Sequence, residues 1–263
     1  MAAPLPVLFV SHGAPTFALE PGLVGPQLKA LGQQLWGVQA VLVVSPHWVT
    51  GSDVRVMTTP MPETIHDFGG FPQALYALQY PAPGAPVLAA QAAALLREAG
   101  FEAETDDKRG FDHGAWVPLR HLYPAANIPV FQVSMPRSLD TRRAVSLGQA
   151  LSPLRDSGVL IVGSGCLTHN LHEFRQRATG YAPYAVAFAQ WVREAVADGD
   201  MGRLIEYRKL APHAEWAHPT EEHFLPLLVA LGAAGDRAAT AVIDGGITYG
   251  VISMDAYVLG EAA

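Results

Sequence analysis

Apolar residues in this chain fall in short unbroken runs more than in alternation. Val7–Val10, Ala40–Val44 and Val159–Val162 are near-continuously apolar and rich in β-branched residues, and Ile128–Val133 is a fourth run. Strands read this way when both faces of a parallel sheet are covered. Gln27–Trp36, Val87–Ala99, Val117–Leu122, Thr141–Arg155 and Tyr184–Ala197 lie between or after them and read as helices. Alternating strands and helices predict an α/β fold: a single domain over residues 1–263 with a mostly parallel central sheet flanked by helices. Later strands are expected at Ala241–Ile243 and Val251–Tyr257. The Pro/Gly-rich stretch Thr59–Pro86 is too long for an ordinary connector, and loops of that length usually carry function. No repeat and no shift of composition divides the chain.

Three of the runs end alike. VLFV leads to Ser11-His12-Gly13, VLVV to Ser45-Pro46-His47-Trp48, and VLIV to Gly163-Ser164-Gly165-Cys166-Leu167-Thr168-His169-Asn170. Each histidine follows the carboxyl end of an expected parallel strand, which is where open α/β sheets bind ligands. Three imidazoles far apart in sequence can therefore meet in one crevice and hold a divalent metal. A fourth candidate lies in His218-Pro219-Thr220-Glu221-Glu222-His223-Phe224-Leu225-Pro226. Pro226 belongs in the first turn of a helix, which puts His223 at its start. His218, five residues earlier, would not share its face. Glu221 and Glu222 also suit a helix N-terminus without any ligand role.

His113 sits in Gly110-Phe111-Asp112-His113-Gly114-Ala115-Trp116, an aromatic-flanked turn suited to a planar polar ligand. The alternative there is a simple helix cap by Asp112. His66, in Thr64-Ile65-His66-Asp67-Phe68, reads as a pocket wall or lid. Together with Phe111 and Trp116, these two histidines form the expected substrate wall. His121, His172 and His213 read as ordinary surface or structural residues.

Composition narrows the function. Half of the chain is hydrophobic and 16% is charged, so it can bury a large core, and the net charge of −7 carries no basic run. Nucleic acid and anionic membrane surfaces are thereby disfavoured as partners. The apolar run near Leu225–Gly235 is too short for a membrane span. One cysteine, Cys166, permits no internal disulfide, and Met1-Ala2-Ala3-Pro4 shows no secretory pattern; a cytoplasmic protein is expected. Oligomeric state stays open.

Seven segments then resemble one family in order: SHGAP (Ser11–Pro15), SPHW (Ser45–Trp48), PETIHDFGGFPQALY (Pro62–Tyr76), YPAPG (Tyr80–Gly84), GFDHGAW (Gly110–Trp116), GSGCLTHNL (Gly163–Leu171) and HPTEEHFLPL (His218–Leu227). They resemble class III extradiol ring-cleaving dioxygenases of the DOPA 4,5-dioxygenase type, in the protocatechuate 4,5-dioxygenase beta-subunit superfamily. The resemblance runs from about Val7 to Gly260. It implies one divalent metal per chain, Fe(II) for activity with Zn(II) able to occupy the site, and opening of a DOPA-like catechol by O₂. It matches His12 and His47 to two metal ligands and His223 to the third, with Glu221 and Glu222 as the neighbouring alternatives. It matches His169 to the acid/base, also a fourth ligand when zinc is bound, and His113 to a catalytic pocket residue. The leading alternative is a zinc-dependent hydrolase on the same cluster, although no HExxH motif is present. Two further readings are a Cys166 nucleophile served by His169 and a metal-stabilised binding module.

Overall fold

The four apolar runs form the parallel centre of one eight-stranded sheet. In the computed structural model, which describes residues 4–175, 180–235 and 239–260, the strands are β1 (Val7–Ser11), β2 (Ala40–Thr50), β3 (Val54–Met57), β4 (Ala103–Asp106), β5 (Val130–Pro136), β6 (Val159–Gly165), β7 (Ala239–Ile243) and β10 (Ala256–Leu259). The pair β8 (Ile247–Thr248) and β9 (Ile252–Ser253) makes a separate small hairpin. Strand order is β4-β3-β5-β2-β6-β1-β10-β7, with β5, β2, β6 and β1 mutually parallel. All residues of β1, β5 and β6 are buried, as continuous apolar strands require.

The helices are α1 (Val24–Gln34), α2 (Gln73–Tyr76), α3 (Pro86–Glu98), α4 (His113–Leu122), α5 (Thr141–Leu151), α6 (Leu171–Arg175), α7 (Pro183–Ala197), α8 (Met201–Ile205), α9 (Tyr207–Leu210), α10 (Ala214–Ala217) and α11 (Leu225–Ala234). Helix α11 lies on β6, β1 and β2 and packs against α5. Helix α4 lies on β2 and β6 and packs against α1. Every described residue of α11 is buried, so its apolar run is a core helix. No helix among the described residues is long and apolar enough to cross a membrane.

Departures from the expected elements have local causes. The helix expected over Thr141–Arg155 stops at Leu151 and tightens into a 3₁₀ turn over Ser152–Ser157, because Pro153 cannot donate an α-helical bond. The strand expected over Val251–Tyr257 is two strands: Asp255 is buried between them, accepting from Gly245 N and from Arg193 Nη2. Strand β4 (AETD) has two exposed polar positions and lies at the sheet edge, so no apolar run announced it. Thr59–Pro86 is pinned to the body by the Thr64–Phe111 and Gly84–Val130 bridges.

Candidate metal centre

Each histidine reaches the carboxyl end of the central strands by a different route. His12 directly follows β1, and its N–H donates to Gly165 O at the end of β6. His47 sits on a bulge of β2. Val44 pairs with Val133 and Val49 with Met135, so four residues, Ser45–Trp48, stand opposite Ser134 alone. A bulge of this kind re-aims side chains beside functional sites. Helix α4 can approach it because Gly114 has no side chain; a Cβ there would lie 2.3 Å from Ser45 Oγ and 3.0 Å from His47 Cδ2. His113 opens that helix, and Asp112 caps it by accepting Ala115 N. The cap and the site position therefore coexist. His169 is fixed by its N–H to Ala217 O, and His223 by its carbonyl, which accepts Cys166 N. Pro226 lies in the first turn of α11, as expected.

The five rings converge. The centroids of His12, His47 and His223 form a nearly regular triangle with sides of 5.0, 5.1 and 5.5 Å. Metal–nitrogen bonds of about 2.0–2.1 Å place a ring centroid ~3.2 Å from an ion, where these sides subtend roughly 103–119°. His169 stacks on His223 at 3.4 Å, nearly parallel at 10°, and His113 lies 3.9 Å from His47. Those two separations subtend only ~65° and ~75° on the same construction, too acute for neighbouring ligands. The stack thus sets His169 apart from the expectation of a fourth ligand. By nearest ligand atoms within 4.8 Å, the residues group as His12–His47–His113 and His169–Glu222–His223. The expected ligand triad draws on both groups.

Proton positions decide what the triad can do. Pro118 lies inside α4 and cannot donate to the carbonyl four residues back, which is Gly114 O. Ser164 Oγ donates to that freed carbonyl instead. Its hydroxyl proton being spent, Ser164 Oγ accepts from His12 Nδ1, 3.0 Å away. His12 therefore carries its proton on Nδ1 and a lone pair on Nε2. Glu222 Oε1 lies 3.1 Å from His223 Nδ1, and Asp67 Oδ2 3.5 Å from His47 Nδ1, which favours the same tautomer in both rings. His12 Nε2 and His47 Nε2 then face each other at 3.2 Å with lone pairs, and buried His223 Nε2 has no hydrogen-bond partner among the described residues. Such a set repels itself unless a cation sits within it. The donors therefore fit a divalent metal, with a serine and two carboxylates orienting them.

Burial disfavours the charged form of His12, His47, His169 and His223. It lowers His12 and His223 well below the usual histidine range, helped by the neighbouring imidazoles. It brings His47 and His169 to about 4. Asp67 is opposite: desolvation alone would raise it, but its hydrogen bond from His113 and the charges of His113 and His47 hold it at about 2.

The surrounding wall differs in part from expectation. His66 Nε2 donates to Leu78 O, and its ring packs on Phe68, Tyr76 and Trp116. Phe68 in turn meets His113 edge-on at 5.6 Å. Phe111 and Trp116, the other residues expected on the substrate wall, are fully buried, and the Trp116 ring packs against His66 and Phe68. Phe111 pairs by backbone with the 62–66 segment, and Trp116 Nε1 donates to Ile65 O, so both hold the loop that carries His66 and Asp67. Asp67, Ser164 and the ligand-orienting side of Glu222 escaped the sequence reading. The only signal was proximity to a histidine motif, since their partners lie up to 152 residues away. His121, bonded to Phe17 O, keeps its structural reading. Cys166 is fully buried and burial pushes its thiol up to about 12, which removes the nucleophile reading.

Comparison with known proteins accounts for this arrangement. Residues 24–260 match the model of the catalytic LigB subunit of aromatic ring-opening dioxygenase. The chain is 42% identical to a 4,5-DOPA dioxygenase extradiol of Beta vulgaris, over 95% of this chain and 94% of that protein. It is 39% identical to one of Escherichia coli K12, over 95% and 93%. A crystal structure of an uncharacterised Escherichia coli K12 protein superposes with a TM-score of 0.80 at 31% identity, covering 97% of this chain and 100% of that one. With the histidine centre at the strand ends and the match running almost end to end, the chain belongs to the LigB family of aromatic ring-opening dioxygenases.

Proposed function

We propose that this chain opens the ring of a DOPA-like catechol with O₂, using one Fe(II) held by His12, His47 and His223. The observation that carries the proposal is the triangle of the His12, His47 and His223 rings, 5.0–5.5 Å between centroids, with His12 Nε2 and His47 Nε2 3.2 Å apart and buried His223 Nε2 without a hydrogen-bond partner among the described residues. Iron(II) supplies open coordination positions for the two catechol oxygens and O₂ and the redox chemistry that O₂ requires, whereas zinc supplies only the former. The protein does the rest. A ring nitrogen of His169, neutral because burial holds it at about 4, takes a proton from the catechol hydroxyl and later returns it. His113, beside Asp67 at 3.0 Å, stabilises negative charge that develops on oxygen. Phe68, His66 and Tyr76 pack against one another as an aromatic wall on that side. The DOPA-like substrate and the 4,5 position rest on the names of the relatives. A reducing, cytoplasmic setting suits the lone buried thiol. The hydrolase reading is not favoured, since the relatives are dioxygenases.

The test is metal-resolved turnover. Stripped protein is reloaded anaerobically with Fe(II) or Zn(II), then given DOPA or simpler catechols and air. Oxygen uptake and a yellow ring-opened product are expected with iron alone. Hydrolysis of esters with zinc, and no oxygen uptake with iron, would sink the proposal.

A further inference from the structure

Asp112 carries a carboxylate into the fully buried interior beside the β2 bulge. Each of its oxygens accepts two hydrogen bonds. Oδ1 accepts from Ser45 Oγ at 2.8 Å and from Ala115 N at 3.2 Å; Oδ2 accepts from Gln132 Nε2 at 2.7 Å and from Arg109 Nη2 at 3.0 Å. Four donors fill the four lone-pair directions that a carboxylate offers. Gln132, itself fully buried in β5 opposite Val43, returns the contact by accepting Asp112 N–H. Removing a carboxylate from water is costly unless it is compensated in this way. Capping α4 accounts for only one of the four bonds.

Two of the others lead to a single residue, His47. Ser45 spends its hydroxyl proton on Asp112, so its oxygen is free to accept His47 N–H, 3.2 Å away. Arg109 Nη2, which donates to Asp112, also donates to His47 O at 3.1 Å. The amide and the carbonyl of His47 are thus each held by a group that Asp112 holds. A bulge needs such bonds, because its ladder is locally disrupted and its backbone polar groups must find other partners. Here the β2–β5 register passes from Val44 to Val49 and skips residues 45–48. Arg109 is itself fixed in place. Its N–H donates to Asp106 Oδ1, its carbonyl accepts from Thr59 Oγ1, and its guanidinium carbon lies 5.2 Å from the centre of the Trp48 ring.

Resting on the reading of His47 as a metal ligand, we propose that Arg109 and Ser45, both anchored on Asp112, are positioning residues that clamp the His47 backbone at its carbonyl and its amide and so set the direction of Nε2 toward the metal. They act through His47, and their effect on metal binding vanishes without it.

The test measures the Zn(II) affinity of stripped protein by chelator competition. Arg109→Met, Arg109→Lys and Ser45→Ala are each made in the wild-type and in the His47→Ala background, and all three leave the Asp112 cap of α4 in place. With His47 present, Arg109→Met and Ser45→Ala should each weaken Zn(II) binding about tenfold, the lower end of the usual scale for a group that orients a ligand. With His47→Ala, the same changes should cost less than about twofold, since the interaction they remove is already gone. Arg109→Lys should recover most of the loss, because both bonds of the arginine come from one nitrogen. Ser45→Ala leaves no buried charge unpaired and carries the test if Arg109→Met fails to fold. Equal weakening in both backgrounds would make the network a general support of the fold and overturn the clamp, as would unchanged affinity in every variant. If His47→Ala by itself leaves Zn(II) binding unchanged, the ligand reading falls and the clamp falls with it.

Discussion

The orientation of His12 traces back to a proline 106 positions away in sequence. Pro118 withholds one helical hydrogen bond, Gly114 O is freed, Ser164 takes it, and the remaining lone pair of Ser164 sets the His12 tautomer. Ser164→Ala should therefore weaken metal binding about 10–100-fold, the usual scale for a ligand's orienting partner. Chelator competition at neutral pH measures this, with circular dichroism unchanged; unaltered affinity would break the chain of cause. His169 gives the complementary case. Because it stacks on His223 instead of joining the triangle, His169→Ala should keep the metal affinity within a few-fold and lower kcat by about 10²–10⁴. Loss of metal in that variant would make His169 a ligand.

Elements deliver these residues, and their packing tolerances are tight. Helix α11 begins two residues after His223 and crosses α5 so closely that a Cβ on Gly232 would lie 2.1 Å from Val145 O. Backbone cannot yield there as a flexible side chain would. Gly232→Ala should cost about 2–4 kcal/mol, or ~5–15 °C in Tm, through overpacking. Calorimetry would show it; a Tm within a degree of wild type would mean that the crossing is slack. The same scale separates what was legible from what was not. Strands β1, β2, β5 and β6 stood out because full burial demands unbroken apolar runs. Strand β4 did not, since an edge strand with polar exposed positions has no such demand. Phe111 and Trp116 tie the 62–66 segment to the body by hydrogen bonds that no pattern in the sequence announces.

The whole molecule stores a cluster of neutral buried imidazoles, and this makes stability depend on pH. Burial lowers His47 and His169 to about 4 and His218 to about 3. In the unfolded chain each titrates near 6.5. As pH falls from about 6.5 toward 4, the unfolded state takes up protons that the folded state refuses, so stability falls. The slope is up to about 1.4 kcal/mol per pH unit for each such histidine. Asp67, held at about 2, stays ionised across that window and does not offset the loss. Metal-free protein should therefore lose Tm steadily between pH 6.5 and 4. Added Zn(II) should raise Tm most at the neutral end, because protons and metal compete for the same nitrogens. A flat profile without metal would show the histidines to be more hydrated than the fold implies.

Sequence alone determined the α/β class, the parallel centre and the placement of His12 and His169 just past strand ends, whereas His47 lies on a bulge within β2, which continues to Thr50. These follow from local rules: continuous burial selects apolar runs, and a chain must turn where a strand ends. The resemblance of seven ordered motifs added the chemistry. Tertiary structure decided the rest. That Ser164 orients His12, that Asp67 serves both His47 and His113, and that His169 stacks on His223 all depend on groups that the folded chain brings together. Residue patterns carry local preference; hydrogen-bond direction and lone-pair placement exist only once the chain is folded.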